Sequence, residues 1–355
     1  MNALANRLAA RIAQTGPITI ADYIAACLGD PTDGYYTTRD PLGADGDFIT
    51  APEISQMFGE LVGLALMQAW VDQGQPDPFV LAELGPGRGT LMADALRAAK
   101  ALPAFRAAAS IHLVETSPVL RARQAEALTD VTPTWHVDIQ TLPDQPLFLI
   151  ANEFFDALPI RQFERARGGW CERVVTCDET GALRMALTEA APHGALMNRL
   201  EDTRDGDIVE TSAPAQAIAQ DIGWRIAEQG GAALIIDYGG WRGTGDTFQA
   251  LAAHKMVDPL SEPGTADLTA HVDFEALARA AAPARHGTLT PQGIFLERLG
   301  ITQRAQALAA RLSGAALDAH IAAHRRLTHP DEMGSVFKVL GLWPDGAPAL
   351  PGLDP

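Results

Sequence analysis

Three glycines at alternate positions, Gly85, Gly87 and Gly89, follow an acid, Glu83, and close the short apolar run Phe79-Val-Leu-Ala-Glu-Leu84. Glycine accepts positive φ and lets a ligand approach the main chain with no Cβ in the way, so the stretch reads as a tight turn that presents backbone N–H groups. After Gly89 the apolar spacing becomes helical (Leu91, Met92, Ala95, Leu96). The first N–H groups of a helix lack internal partners, which makes the turn a cradle for a small anionic ligand. A dinucleotide fingerprint needs its third glycine at position 90, where Thr90 stands, so the nicotinamide reading fails.

In an open α/β sheet, ligands sit outside the carboxyl ends of the strands. Short apolar strands are expected at 79–84, 111–115, 133–138, 147–152 and 232–239, separated by helical patterns that imply right-handed parallel crossovers. Their ends carry Glu83, Glu115, Asp138, the pair Asn152 and Glu153, and Asp237. Glu115 suits two ribose hydroxyls, and Asp138 suits an adenine amino group. Glu153 and Asp156 lie in Asn152-Glu-Phe-Phe-Asp-Ala-Leu-Pro159, where a carboxylate can hold a guanidinium through paired hydrogen bonds. Asp156 equally suits a helix N-cap. Glu210, in Val209-Glu-Thr-Ser-Ala-Pro214, is a second candidate carboxylate, and His271 with Asp273 a secondary pair.

Several elements must hold these groups in place. Leu4, Leu8 and Ile12 mark a first helix ended by Gly16-Pro17, and a second helix is expected over 18–28. A turn-rich loop with adjacent Tyr35 and Tyr36 follows. Thr50 and Pro52 open a helix that continues to Trp70. Residues 160–189 alternate around Asp178-Glu-Thr-Gly181 as a β-hairpin insertion, and 213–230 are helical. Residues 240–263 read as a mobile loop or lid. Stretches 287–296 and 335–340 are expected as a closing antiparallel pair, with a helical stretch 301–326 between them. The division expected is an N-terminal helical cap over 1–75 and a sheet domain over 76–355, with insertions at about 160–230 and 240–263 and a helical region at about 297–330.

At 355 residues and 47% hydrophobic, the chain can bury a sizeable core. A formal charge of -17 opposes nucleic acid as a partner, since phosphate backbones are bound by Lys and Arg clusters; a basic peptide would be drawn to such a surface. Only three of the 27 basic residues are lysine, which with the alanine and glycine load points to a GC-rich, bacterial genome. Cys27, Cys171 and Cys177 form no C-x-x-C pair, so a reducing, cytoplasmic location and no bound metal are expected. No apolar run reaches the roughly 18 to 20 residues of a membrane span. Met1 to Ile20 carries Arg7 and Arg11 with no acid, a faint presequence character, and reads as the first helix.

The acid-x-G-x-G-x-G pattern of Glu83 to Gly89 resembles the first motif of Rossmann-like S-adenosylmethionine-dependent methyltransferases. The ordered set Gly34-Tyr-Tyr36, Gly46-Asp-Phe-Ile-Thr-Ala-Pro-Glu-Ile-Ser-Gln56, Glu83-Leu-Gly-Pro-Gly-Arg-Gly-Thr-Leu91, Ala151-Asn-Glu-Phe-Phe-Asp-Ala-Leu-Pro159, Ala266-Asp-Leu-Thr-Ala-His-Val-Asp-Phe274 and Met333-Gly-Ser-Val-Phe-Lys338 resembles the MidA family. The resemblance implies a class I α/β fold with a seven-stranded, mostly parallel sheet and S-adenosylmethionine as donor. For mitochondrial relatives it implies ω-nitrogen methylation of an arginine on a core subunit of complex I. It carries Gly85, Gly87, Gly89 and Glu115 to the cofactor site, and folds Thr50, Pro52, Glu53 and Gln56 over that site. Asn152 and Glu83 join the cofactor set, while Glu153, Glu210, Asp156 and His271 are the catalytic candidates. Two other readings fit the same residues: an assembly factor that binds the cofactor without turnover, and a methyltransferase for a small molecule.

Overall fold

A computed structural model describes residues 2–38 and 50–355. The first four residues of the 46–56 block therefore lie outside the described residues. The chain divides into two units. The sheet unit comprises Leu42–Phe155, Gln216–Trp241 and Phe274–Pro355, and the smaller unit Met1–Pro41, Asp156–Ala215 and Arg242–Asp273. This differs from the expected division: the helix Gln56–Asp72, assigned to the cap, belongs with the sheet, the first insertion groups with the N-terminal helices only as far as Ala215, and the second groups with them from Arg242.

Along the main path of the large sheet, the strands in chain order are β1 (Phe79–Leu84), β2 (Ala109–Val114), β3 (Thr134–His136), β4 (Leu147–Asn152), β5 (Gly231–Gly240), β6 (Arg285–His286) and β7 (Phe337–Trp343). Their spatial order is β3-β2-β1-β4-β5-β7-β6. The first five pair in parallel, and β7 runs antiparallel to both β5 and β6. Its five parallel strands agree with the expected fold class, but among the described residues the sheet has nine strands where seven were expected. Every residue of β1 and β4 is buried, which explains why their sequences are apolar but for Glu83 and Asn152: a strand covered on both faces has no polar alternation.

An aromatic group of the core lies at the far end of these strands from the glycine turn. Phe79 meets Phe105 at 4.8 Å between ring centroids, Phe148 at 5.2 Å and Trp70 at 5.8 Å. Each such ring contributes roughly 2 kcal/mol by leaving water. Helix Gln56–Asp72 lies tightly on helix Thr90–Ala98, because a Cβ at Gly63 would come within 2.7 Å of Ala95. Only a residue with no side chain lets the two backbones approach so closely.

At the closing edge, the short pair Thr290–Pro291 also lies against β7, but Gln292–Arg298 is a helix where a strand was expected. Buried Gln292, Phe295 and Leu296 beside exposed Ile294 have helical spacing, and so decide the outcome. The expected helical stretch 301–326 is two helices, Ile301–Ala309 and Gly314–Thr328.

In the smaller unit, helix Ala3–Thr15 buries Leu4, Leu8 and Ile12 as read from the sequence. Helix Ile20–Gly29 starts on a reciprocal cap between Thr19 and Asp22. Strands Arg161–Ala166, Gly169–Cys177 and Leu183–Leu187 make two successive hairpins where one was expected, since Gly168 at φ +73 turns the chain once before Gly181 at φ +84. Ile208–Thr211 completes this antiparallel sheet against Arg161–Ala166. Within 240–263, strands Gln249–Ala252 and Lys255–Val257 form a further hairpin that pairs with Asp267–Thr269.

Candidate functional site

The register of the large sheet aligns its strand ends. Leu84 of β1 lies between Val114 of β2 and Ala151 of β4, and Asn152 lies opposite Ile236 of β5. The next residue of each strand then bonds to its neighbour: Gly85 N–H to Val114 O at 3.0 Å, Glu115 N–H to His136 O at 2.9 Å, and Glu153 N–H to Ile236 O at 2.9 Å. Gly85, Glu115, Asn152 and Glu153 thus share one edge. Gly85, Gly87 and Gly89 all have positive φ (58°, 53° and 82°), a backbone that other residues adopt only under strain. Gly89 caps helix Thr90–Ala98, and a Cβ at Gly85 would come within 2.9 Å of the Phe154 ring.

Behind the turn, Gln124 is fully buried and ties three parts together. Its Nε2 donates to Gly87 O at 2.8 Å and to Glu115 Oε2 at 3.2 Å, and its Oε1 accepts from Trp135 Nε1 at 2.8 Å. Glu115 also accepts from Ser117 N–H at 2.7 Å, and burial pushes its carboxyl above the usual range. Glu83 is more confined: burial pushes it up to about 8, opposed by the Met92 N–H, and its Oε2 has no hydrogen-bond partner. The Asn152 carbonyl Oδ1 is likewise buried without a partner, while its Nδ2 donates to Glu153 Oε1 at 3.2 Å. Asp138 is exposed and accepts from Gln140 N–H at 2.9 Å, capping the short turn Ile139–Thr141.

Part of the 50–56 block reaches this edge. Glu53 Oε1 accepts from Thr90 Oγ1 at 2.5 Å, and Ala51 N–H donates to Glu153 Oε1 at 3.1 Å. Pro52 is buried in the first turn of helix Ala51–Ile54, and Thr50 caps it through its main chain alone. Gln56 points along its own helix to Glu60 at 3.3 Å. Glu153 has φ +50, a left-handed conformation uncommon for a residue with a side chain.

The other candidates lie in the smaller unit. Asp156 is buried, but no helix follows it; its carbonyl accepts from Ala270 N–H at 3.0 Å. The Tyr36 hydroxyl donates to Asp267 Oδ1 at 2.8 Å. Glu210 Oε1 accepts from Gln162 Nε2 at 2.7 Å and Thr247 N–H at 3.0 Å, and its Oε2 accepts from the Thr247 hydroxyl. Burial raises Glu210 against these donors. His271 is exposed, and its N–H donates to Thr247 Oγ1 at 2.8 Å.

Four residues of the edge escape a reading of spacing alone: Thr90, Gln124, Trp135 and Phe154. Gln124 left one trace, since with Leu120 it forms the buried i, i+4 face of helix Pro118–Ala127, where an apolar residue is the norm. The edge offers a glycine cradle at a helix N-terminus, a buried carboxylate beside it, and two buried oxygens, of Glu83 and Asn152, with unmet hydrogen-bonding capacity. These features fit a ligand that carries hydroxyl groups and cationic nitrogen.

Residues 61–292 match the profile of a family of S-adenosyl-L-methionine-dependent methyltransferases. The protein arginine methyltransferase NDUFAF7, mitochondrial, of Xenopus laevis is 38% identical, over 97% of this chain and 85% of that one. The bovine relative of the same name is 38% identical over 94% of this chain and 82% of its own length. A crystal structure from Burkholderia thailandensis, bound to S-adenosyl-homocysteine, superposes with a TM-score of 0.84 at 30% identity and covers 99% of this chain and 94% of that one. The cytoplasmic location expected from cysteine usage is overturned by the names of the curated relatives, which place them in mitochondria. Three dispersed cysteines speak for a reducing environment and do not choose among reducing compartments. By near-full-length identity, by fold and by the glycine turn, this chain belongs to the MidA-like family of S-adenosylmethionine-dependent methyltransferases.

Proposed function

We propose that this methyltransferase transfers its methyl group to an ω-nitrogen of an arginine in a protein, and that the acceptor is a core subunit handled during assembly of respiratory complex I. The observation that carries the reading is identity of about 38% over nearly the whole chain to relatives named protein arginine methyltransferases. The left-handed Glu153 supports it from the chain's own geometry.

When bound, S-adenosylmethionine supplies an electrophilic methyl group on a sulfonium. Gly85, Gly87 and Gly89 give the cofactor a surface of main chain, and Glu115, fixed by Ser117 and Gln124, takes the ribose. Glu153 holds the arginine. Its Oε1 is anchored by Ala51 N–H and Asn152 Nδ2, so the carboxylate is oriented before any guanidinium arrives. A guanidinium is protonated at neutral pH and a poor nucleophile, so the carboxylate that orients it also takes its proton when the nitrogen gains the methyl group, the carbon–sulfur bond breaking so that the sulfonium leaves as a neutral thioether. The net charge of -17 favours approach of a basic protein segment. Glu210, with both oxygens engaged, acts in this reading as a tie within its own sheet.

The test is transfer of labelled methyl groups from the donor into a lysate containing complex I subunits, followed by hydrolysis and amino-acid analysis. Methylarginine in a protein fraction is expected, with about 100-fold less from Glu153→Gln at unchanged cofactor affinity. Label confined to the low-mass fraction or to lysine would overturn the reading.

A further inference from the structure

Asp237, the residue after Ile236 in β5, is fully buried. Its Oδ2 accepts the Phe155 N–H at 3.0 Å and its Oδ1 the Tyr238 N–H at 2.9 Å. Two residues before Phe155, the Glu153 N–H bonds to Ile236 O at 2.9 Å. The segment 153–155 is therefore fastened to β5 at both ends, by a main-chain bond at one and a bond to the Asp237 side chain at the other. Between the two fastenings lies the φ of +50 at Glu153. A left-handed residue with a Cβ relaxes unless its surroundings hold it there. A buried polar side chain is costly unless its oxygens are engaged, so the Asp237 bonds are not idle.

The same segment carries two other groups of the edge. The Phe154 ring lies over Gly85, and Glu153 Oε1 takes the Ala51 N–H. If the Phe155 end were released, the turn would open, and both contacts would shift while the strands beneath kept their ladder. We propose that Asp237 is a positioning residue that holds Glu153 in its left-handed conformation and so aims its carboxylate at the methyl acceptor. This rests on the role given to Glu153 above, but the positioning itself can be read without turnover.

The experiment uses the full chain with Asp237→Asn. That variant keeps shape but opposes one backbone N–H with a side-chain NH2. Carbon shifts of isotope-labelled Glu153 report its φ directly, and they are expected to leave the left-handed range. Affinity for S-adenosylhomocysteine is expected to stay within about twofold while kcat for protein methylation falls at least tenfold. A merely structural residue would not show one further property: in a Glu153→Gln background, Asp237→Asn should cost almost nothing more, because it acts through the group already removed. Should Asp237→Asn fail to fold, Asp237→Glu retains the charge, displaces the carboxylate, and is read by the same shifts and the same double-variant test. Unchanged Glu153 shifts, or losses that add in full, overturn the proposal. Absence of methylarginine from the wild-type reaction overturns the proposed function alone.

Discussion

At the carboxyl edge of the parallel sheet, Glu83 keeps one oxygen on the Met92 N–H and leaves the other without a partner, in a setting that pushes its carboxyl up to about 8. In the smaller unit, Glu210 is half-buried, and Gln162 and Thr247 engage both of its oxygens. Backbone conformation follows the same contrast. The edge concentrates left-handed residues, Gly85, Gly87, Gly89 and Glu153, whereas Glu210 lies in the regular strand Ile208–Thr211. Glu115 has both oxygens engaged as well, so engagement alone does not separate the two regions; an unpartnered oxygen beside left-handed backbone does. Strain and unmet polar capacity gathered at one place are what a fold tolerates where a ligand completes it.

The sharpest way to break this comparison is Gly87→Val. A β-branched residue at φ +53 is strained, so the turn would have to change shape to admit it. Affinity for S-adenosylhomocysteine, measured by calorimetry, is expected to fall at least about 100-fold, a loss of about 3 kcal/mol, of the size such backbone strain costs. Unchanged affinity would remove the glycine turn from the cofactor site.

Gln124→Ala tests whether the edge is preorganised from behind. The substitution leaves Gly87 O, Glu115 Oε2 and Trp135 Nε1 short of a partner in a buried place. Cofactor affinity should drop by about 2 kcal/mol, roughly 30-fold, with the loss in the adenosine half of the ligand. Competition by adenosine alone checks this, since a variant that binds adenosine as the wild type does would show that the hub supports the fold only.

Much of the edge is legible in the sequence, because strands buried on both faces read as apolar runs that stop at their functional end. Expected strand 147–152 coincides with β4 and Glu153 follows it, as read; Glu115, read as the last residue of its strand, falls one residue past it. What stays hidden depends on distant partners or unusual backbone. Gln124 bonds to residues 9, 11 and 37 positions away, a relation no local spacing displays. The hairpin of 249–257 turns on Ala253 and His254, both left-handed, so no glycine or asparagine announces it. Glu210 shows a second thing that spacing hides. A lone acid in a polar stretch looks available to a substrate, and only its cross-strand neighbours reveal how it is engaged.

Glu210→Ala measures that engagement. Gln162 Nε2 keeps its other acceptor, Asp246 at 2.7 Å, while the Thr247 hydroxyl and N–H lose theirs. Stability is expected to fall by about 1.5 kcal/mol in urea unfolding, with cofactor affinity unchanged. A fall in cofactor affinity with stability intact would place Glu210 with the ligand and erase the contrast drawn above.

The finest discrimination comes from pH and Glu83. Its folded carboxyl is pushed up to about 8 from an ordinary value of 4.5, so the folded chain holds a proton that the unfolded chain has released. Stability from this group is present below about pH 4.5, declines as pH rises toward 8, and changes no further above it. Glu83→Gln does not titrate, so its Tm should gain on the wild type steadily across that window. The gain is expected to be about 3 °C at pH 8, because the new amide NH2 enters a site where no acceptor meets the present Oε2 and gives back part of what removing the charge secures. Parallel Tm curves would mean that Glu83 is ionised in the fold and already paired, and the edge would then hold no unmet carboxylate to set against Glu210.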